Sequence, residues 1–370
     1  MDADATVIKL ELDGLLELVG PWYLRWFQRL IEKGVPFPQA GGVKSGKLVL
    51  LLLATAFMSG CAGLPDETIT IGPPPPHVPK EPAVPTRARP DAPIHLDSGP
   101  AHLAVGEGAI WVLQGGRLLK IDAKSNRLLA VFPTISGLPA FAAGEGGLWI
   151  PDDSKLLKLD PQTGAVAARV PFKCENVALG AGSLWADNPE LGTVLRIDPR
   201  TARVIATIAV DKSPMVLTVG EGAVWALAWK KNLIYQIDPA SNQVVAKVSL
   251  GPGIPIGELA AGVGGVWVSK QARLPLGVAN ALIVVDPASK QVTKVFKTWF
   301  DGRFALGGGS VWVTTPEYVA RINVSTGQVV EKVLLPTSEY GDMVASEDAL
   351  WLVGDGGDTL WRINFKTPSR

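Results

Sequence analysis

The residues of this chain that could do chemistry are few and scattered. Its three histidines stand at 77, 95 and 102, and its two cysteines at 61 and 174. No spacing joins them into a metal-ligand set or into a nucleophile with a nearby base. Carboxylates offer another chemistry. Asp152, Asp187 and Asp301 could surround a hard divalent cation with oxygen ligands, although an Asp-rich loop is ordinarily turn chemistry. Gly41-Gly42-Val43-Lys44-Ser45-Gly46-Lys47 imitates a phosphate loop, but Leu48 stands where Ser or Thr is needed and no strand precedes it. Trp229, Lys230, Trp299, Asp301, Arg303 and Tyr340 suit a different task. Aromatic, cationic and hydrogen-bonding side chains in loops anchor a ligand or partner. The expectation is a binding surface with no catalytic residue, cofactor or metal.

The elements that carry these residues announce themselves through tryptophan. Trp111, Trp149, Trp185, Trp225, Trp267, Trp312 and Trp351 follow at intervals of 38, 36, 40, 42, 45 and 39 residues. Six of them stand three residues after the second glycine of a G-x-G step, and Ser346-Glu347-Asp348 replaces that step before the seventh. An apolar residue followed by Asp or Asn closes each unit, from Ile121-Asp122 to Ile363-Asn364. A period near 40 residues with short apolar runs marks a radial or solenoid repeat. The first unit reads as Ala101–Val105, Ala109–Leu113, Leu118–Ile121 and Leu128–Phe132, four strands bounded by turn residues. No stretch of the repeats keeps a 3.6-residue apolar period. Seven such units predict an all-β, seven-bladed β-propeller. The repeated Trp then fills the wedge between neighbouring sheets, and the repeated Asp is a turn residue.

The ends of the array predict closure. The seventh unit supplies Met343–Ala345, Leu350–Val353 and Thr359–Asn364, and Ala92–Asp97 is a spare strand upstream of the first unit. Placed outermost in blade seven, it joins the two ends and covers an edge. Loops between second and third strands, and between successive blades, then open on one face around the channel. Lys270–Asn280 is expected to be the longest of them, because Trp267 and Asp286 are 19 residues apart.

The formal net charge is zero, which gives no electrostatic footprint for nucleic acid. Cys174 is the one thiol expected in the folded region, so no internal disulfide is expected there, and its apolar neighbours predict burial. Upstream, Lys44 and Lys47 precede the apolar run Leu48–Phe57, and Met58-Ser59-Gly60 leads to Cys61. That is the layout of a secretory signal. The cysteine after Ser-Gly resembles the lipobox of bacterial lipoproteins, which implies cleavage before Cys61 and lipid attachment there. Ala62 then implies the outer membrane in a cell with two membranes, with the protein facing the periplasm. The expected organisation is an extension over 1–42, a signal peptide over 43–60, a Pro-rich tether over 61–91 and the propeller over 92–370. Residues 1–42 are read as over-translation from an upstream start, Val43 being the initiator. If translated, Leu10–Ile31 suggests an amphipathic helix on a membrane surface.

The pattern G-x-G-x-[VL]-W-[VA] followed by [IL]-D-P-x-[TS]-x-x-V resembles the YVTN-type and streptogramin-lyase-like propellers, including the exported YncE-like proteins. The resemblance spans roughly residues 92–365. Streptogramin lyases use a histidine, glutamates and magnesium at the channel mouth, whereas no histidine of this chain falls in the late blades. Two functions follow. One is a non-catalytic binding or scaffolding propeller of the cell envelope, held to the membrane by a lipid anchor and recognising an envelope protein, peptide or glycan. The other is a lyase-like or lactonase-like enzyme using a divalent cation at the mouth.

Overall fold

The computed structural model describes residues 93–97, 99, 101–133, 141–152, 154–212, 215–251, 254–274, 277–297, 303–315, 317–337 and 340–365. The chain divides into two units, Met1–Val78 and Pro79–Arg370, and the described residues belong to the second. Cys61 and the segments read as an extension, a signal peptide and a tether lie outside the described residues.

The described strands form seven four-stranded antiparallel sheets, the blades of a β-propeller. Blade 1 is Ala101–Gly106, Ala109–Gln114, Arg117–Asp122 and Leu128–Pro133. Blades 2 to 6 begin at Ala142, Val177, Met215, Ile254 and Phe304. Blade 7 combines Tyr340–Ala345, Ala349–Gly354 and Thr359–Asn364 with the upstream strand Ile94–His95. The predicted closure is therefore present, in a shorter form. Ile94 pairs with Leu360 and His95 with Thr359, and Leu96 N–H donates to Asp358 O at 2.8 Å. Pro93 lacks an N–H and cannot continue that ladder as a donor.

The G-x-G-x-x-W spacing has a bonding reason. Trp111 Nε1–H donates to Gly106 O at 3.0 Å, five residues back, and Trp185, Trp225, Trp267 and Trp312 repeat the bond to Gly180, Gly220, Gly262 and Gly307. In blade 7, Ser346 Oγ accepts it from Trp351 at 3.3 Å. In these six blades the buried indole thus satisfies its one polar group within its own hairpin, whereas Trp149 Nε1 in blade 2 has no such bond. Two glycines serve distinct needs. Gly108 has φ 71°, in the left-handed region. A Cβ on Gly106 would lie 2.1 Å from Ala143 O of the next blade, so blade contact demands the bare backbone.

Each indole packs forward into the following blade. Trp111 shares a core with Leu148 and Ile150 of blade 2. Trp351 of blade 7 shares one with Ile110 and Val112 of blade 1. That last cluster closes the ring.

Cations strap the blades from outside this core. Lys120, Lys158 and Arg196 lie opposite Trp111, Trp149 and Trp185 on the third strands, 5.2–5.4 Å from the ring centroids. Each reaches the next blade's turn, where Pro161, Pro199 and Pro239 accept at 3.0, 2.7 and 2.5 Å. The repeated Asp is a turn residue, as expected. Asp160 Oδ1 accepts from Gln162 N, Thr163 N and Thr163 Oγ1 at 2.8–3.0 Å, and these bonds hold its carboxyl below the usual carboxylate range.

The expected long loop of blade 5 is instead a lengthened hairpin. Gly265–Leu274 and Gly277–Asp286 stay paired from Val266–Val285 out to Leu274–Gly277. Lys270 anchors its base, donating to Leu250 O at 2.7 Å and Gly251 O at 3.0 Å. Burial brings its ammonium down to about 8.

Candidate functional site

Blades 1, 6 and 7 enclose a cleft of about 210 Å³ at the mouth, lined in part by His102, Arg303, Tyr340, Asp342 and Gly357. His102 comes from the first strand of blade 1, Arg303 from the entry to blade 6, and Tyr340 and Asp342 from the first strand of blade 7. Asp342 crosses the blade seam. Its Oδ2 accepts from Leu103 N–H at 2.8 Å, and its Oδ1 accepts from Met343 N–H at 2.9 Å. Arg303 is braced from the other side, with NH1 2.6 Å from Glu258 Oε1 of blade 5. Its carbonyl accepts from Thr314 N–H at 3.2 Å. Burial pulls the imidazole of His102 below its ordinary range; Asp342 opposes this and Arg303 reinforces it. The ring is therefore neutral near pH 7, able both to donate and to accept.

Gln114 forms the floor of the seam. Its two Nε2–H groups are shared among three carbonyls, Asp97 O at 2.5 Å, Gly99 O at 2.8 Å and Gly357 O at 2.8 Å, tying blade 1 to both ends of the repeat array.

Arg303 and Tyr340, singled out in the sequence, thus meet in one cleft. Trp299 and Asp301 lie outside the described residues. Trp229 and Lys230 stand apart from the cleft, on the turn Trp229–Lys231 that follows the second strand of blade 4. Lys230 Nζ lies 5.5 Å from the Trp229 ring centroid, and Lys231 pairs with Asp211 at 3.2 Å. Sequence reasoning missed His102 as a cleft residue. It sits within a strand of Ala and Leu, and only the ring brings it beside blade 7.

Two of the three carboxylates considered for a cation, Asp152 and Asp187, are engaged with protein partners. Asp152 pairs with Lys155 at 2.8 Å. Asp187 is fully buried and accepts from Glu175 N–H at 3.0 Å and Asn176 N–H at 2.7 Å. Burial pushes its carboxyl up to about 6 against those bonds. Cys174 is buried as expected, and burial with Asp187 and Glu175 pushes its thiol up to about 12. Lys173 does not activate it but pairs with Glu190 at 2.6 Å. Among the described residues, no group of three or more His, Cys, Asp or Glu is placed to hold a metal ion.

No protein-family model matches the chain. No curated protein matches it either. Solved structures do match. Kuenenia stuttgartiensis hydrazine synthase has a TM-score of 0.61 at 11% identity, covering 74% of this chain and 97% of that one. A streptogramin B lyase has a TM-score of 0.58 at 15% identity, covering 74% and 97%. BamB from Moraxella catarrhalis has a TM-score of 0.54 at 12% identity, covering 76% and 99%. The likeness is one of fold. A synthase, a lyase and BamB on one scaffold leave the activity to the site.

Proposed function

We propose that this chain is a non-catalytic binding or scaffolding propeller of the bacterial cell envelope. In this reading Cys61 carries lipid, residues 61–91 tether the propeller, and the mouth recognises an envelope protein, peptide or glycan. The observation that carries it is the build of the mouth cleft. Arg303 and Asp342 are each fixed by a bond across a blade seam, which gives a preorganised polar surface rather than a mobile reactive pair. The neutral His102 adds a donor and an acceptor, and Tyr340 adds an aromatic wall. The cation-dependent alternative has less support, because Asp152 and Asp187 are committed to protein partners.

The test is capture from envelope extracts of the native host, using the full chain in its Cys61 and Cys61→Ser forms. The same partner recovered by both forms, and depleted by Arg303→Ala with Tyr340→Ala, is the expected result. Turnover of a lactone or streptogramin by the purified chain would overturn the non-catalytic reading.

A further inference from the structure

The surface that the fold leaves unexplained lies on the rim of blades 3 and 4. Between the second and third strands, blade 1 has Gly115-Gly116 and blade 7 has Asp355-Gly356-Gly357-Asp358. The described residues there are Ser154 in blade 2 and Thr315, Glu317 and Tyr318 in blade 6, of which Tyr318 is half-buried with Lys332 over its ring. Blade 3 instead presents Leu191, 64% exposed, and blade 4 presents Trp229, 37% exposed. Neither stands on slack chain. Asn188 Oδ1 accepts from Leu191 N–H at 2.8 Å, and Asn188 O accepts from Gly192 N–H at 2.9 Å. Trp229 opens a single helical turn that Asn232 closes at φ 56°, its N–H donating to Trp229 O at 3.3 Å. An apolar side chain held outward on a fixed turn does little for the isolated fold. For binding it is an advantage, since the ordering cost is already met.

The two turns are continuous. A Cβ on Gly192 would come within 3.0 Å of Lys212 N and 3.1 Å of Lys212 Cγ, so Lys212 lies against the blade 3 turn. Asp211 beside it pairs with Lys231 of the blade 4 turn and accepts from Tyr235 Oη. Leu191, Lys212, Lys231 and Trp229 thus follow one another along the rim. Among the described residues, Lys212 and Lys230 have no carboxylate within ion-pair distance, whereas Lys173 and Lys231 do.

We propose that this rim docks an acidic peptide segment of a protein partner, one that also carries apolar side chains. The inference rests on the binding reading above and gives it a partner chemistry. Carboxylates of the segment meet Lys212 and Lys230, while its apolar side chains cover Leu191 and Trp229. An anionic bilayer fits less well. Leu191 and Trp229 are separated along the rim by Lys212 and Lys231 and form no continuous apolar face.

The experiment measures binding of the full chain to short synthetic peptides of acidic-apolar, neutral-apolar and basic-apolar composition, and to phosphatidylglycerol vesicles. Acidic-apolar peptides are expected to bind best and to weaken with added salt. Leu191→Ala and Trp229→Ala should each lower that affinity about tenfold, with unchanged thermal midpoints showing that both variants are folded. Lys212→Glu with Lys230→Glu should turn the preference towards basic-apolar peptides. Equal binding of all three classes, no peptide binding, affinity unmoved by Leu191→Ala and Trp229→Ala, or binding to vesicles alone would each overturn the assignment. Acidic peptides lost through Arg303→Ala and Tyr340→Ala but not through the rim variants would overturn the rim while leaving the mouth as the binding site.

Discussion

At the scale of single residues, tryptophans of one chain serve two ends. Trp225 is fully buried between blades 4 and 5, with its indole N–H bonded to Gly220 O, whereas Trp229 lies four residues on and faces outward. Trp225→Ala should cost roughly 3–5 kcal/mol through the cavity it leaves. Trp229→Ala should leave stability within about 0.5 kcal/mol, as for a surface site; chemical denaturation of the two variants checks both values. Asp187 makes a second residue-scale prediction. Burial raises its folded pKa to about 6, above an unfolded value near 3.8, so the folded state holds the proton more tightly. Its contribution is therefore full below about pH 4 and is lost as pH rises through 6. Asp187→Asn should remove this dependence. Turn aspartates such as Asp160 act in the opposite sense, their depressed pKa values costing stability in acid. The difference between wild type and variant across pH 4–7 isolates Asp187; a difference that is flat over that range would contradict the assignment.

At the scale of elements, a two-residue strand and one amide add to the Trp351 core in joining the two ends of the array. Ile94–His95 completes blade 7, and Gln114 ties Asp97, Gly99 and Gly357 to blade 1. Removing residues up to Pro100 should expose the edge of Thr359–Asn364 and free these bonds, each worth about 0.5–1.5 kcal/mol net. Thermal unfolding should show a large fall in midpoint or aggregation. Unchanged stability would contradict closure by this segment. Much of this level was legible in the sequence, because packing imposes the same Trp, Gly and Asp on every blade. The inter-blade straps were not. Nothing in the repeat pattern marks Lys120, Lys158 or Arg196, because their carbonyl partners lie about forty residues onward, as with Pro161 and Lys120. The Lys270–Asn280 hairpin was misread as a loop because its length departs from the repeat, although its pairing simply continues.

At the scale of the whole molecule, the mouth gathers what packing does not require. Arg303 and Tyr340 were legible as departures from the repeat, but their junction with His102 and Asp342 depends on ring closure, which brings residues more than two hundred positions apart into one wall. The proposed attachment to the envelope also belongs to this scale. Cys61→Ser should move the protein from the membrane fraction to the soluble fraction, and intact-mass analysis of the wild type should show lipid on Cys61. An unmodified Cys61 in protein that stays membrane-bound would rule out the anchor. The central claim, that the mouth face binds a partner, is tested most directly by quantitative recovery of that partner from envelope extracts. Wild type is compared with a variant combining Trp229→Ala, Arg303→Ala and Tyr340→Ala. Recovery should be lost while the thermal midpoint stays within a few degrees of wild type; equal recovery by a folded variant would place the binding site elsewhere on the propeller.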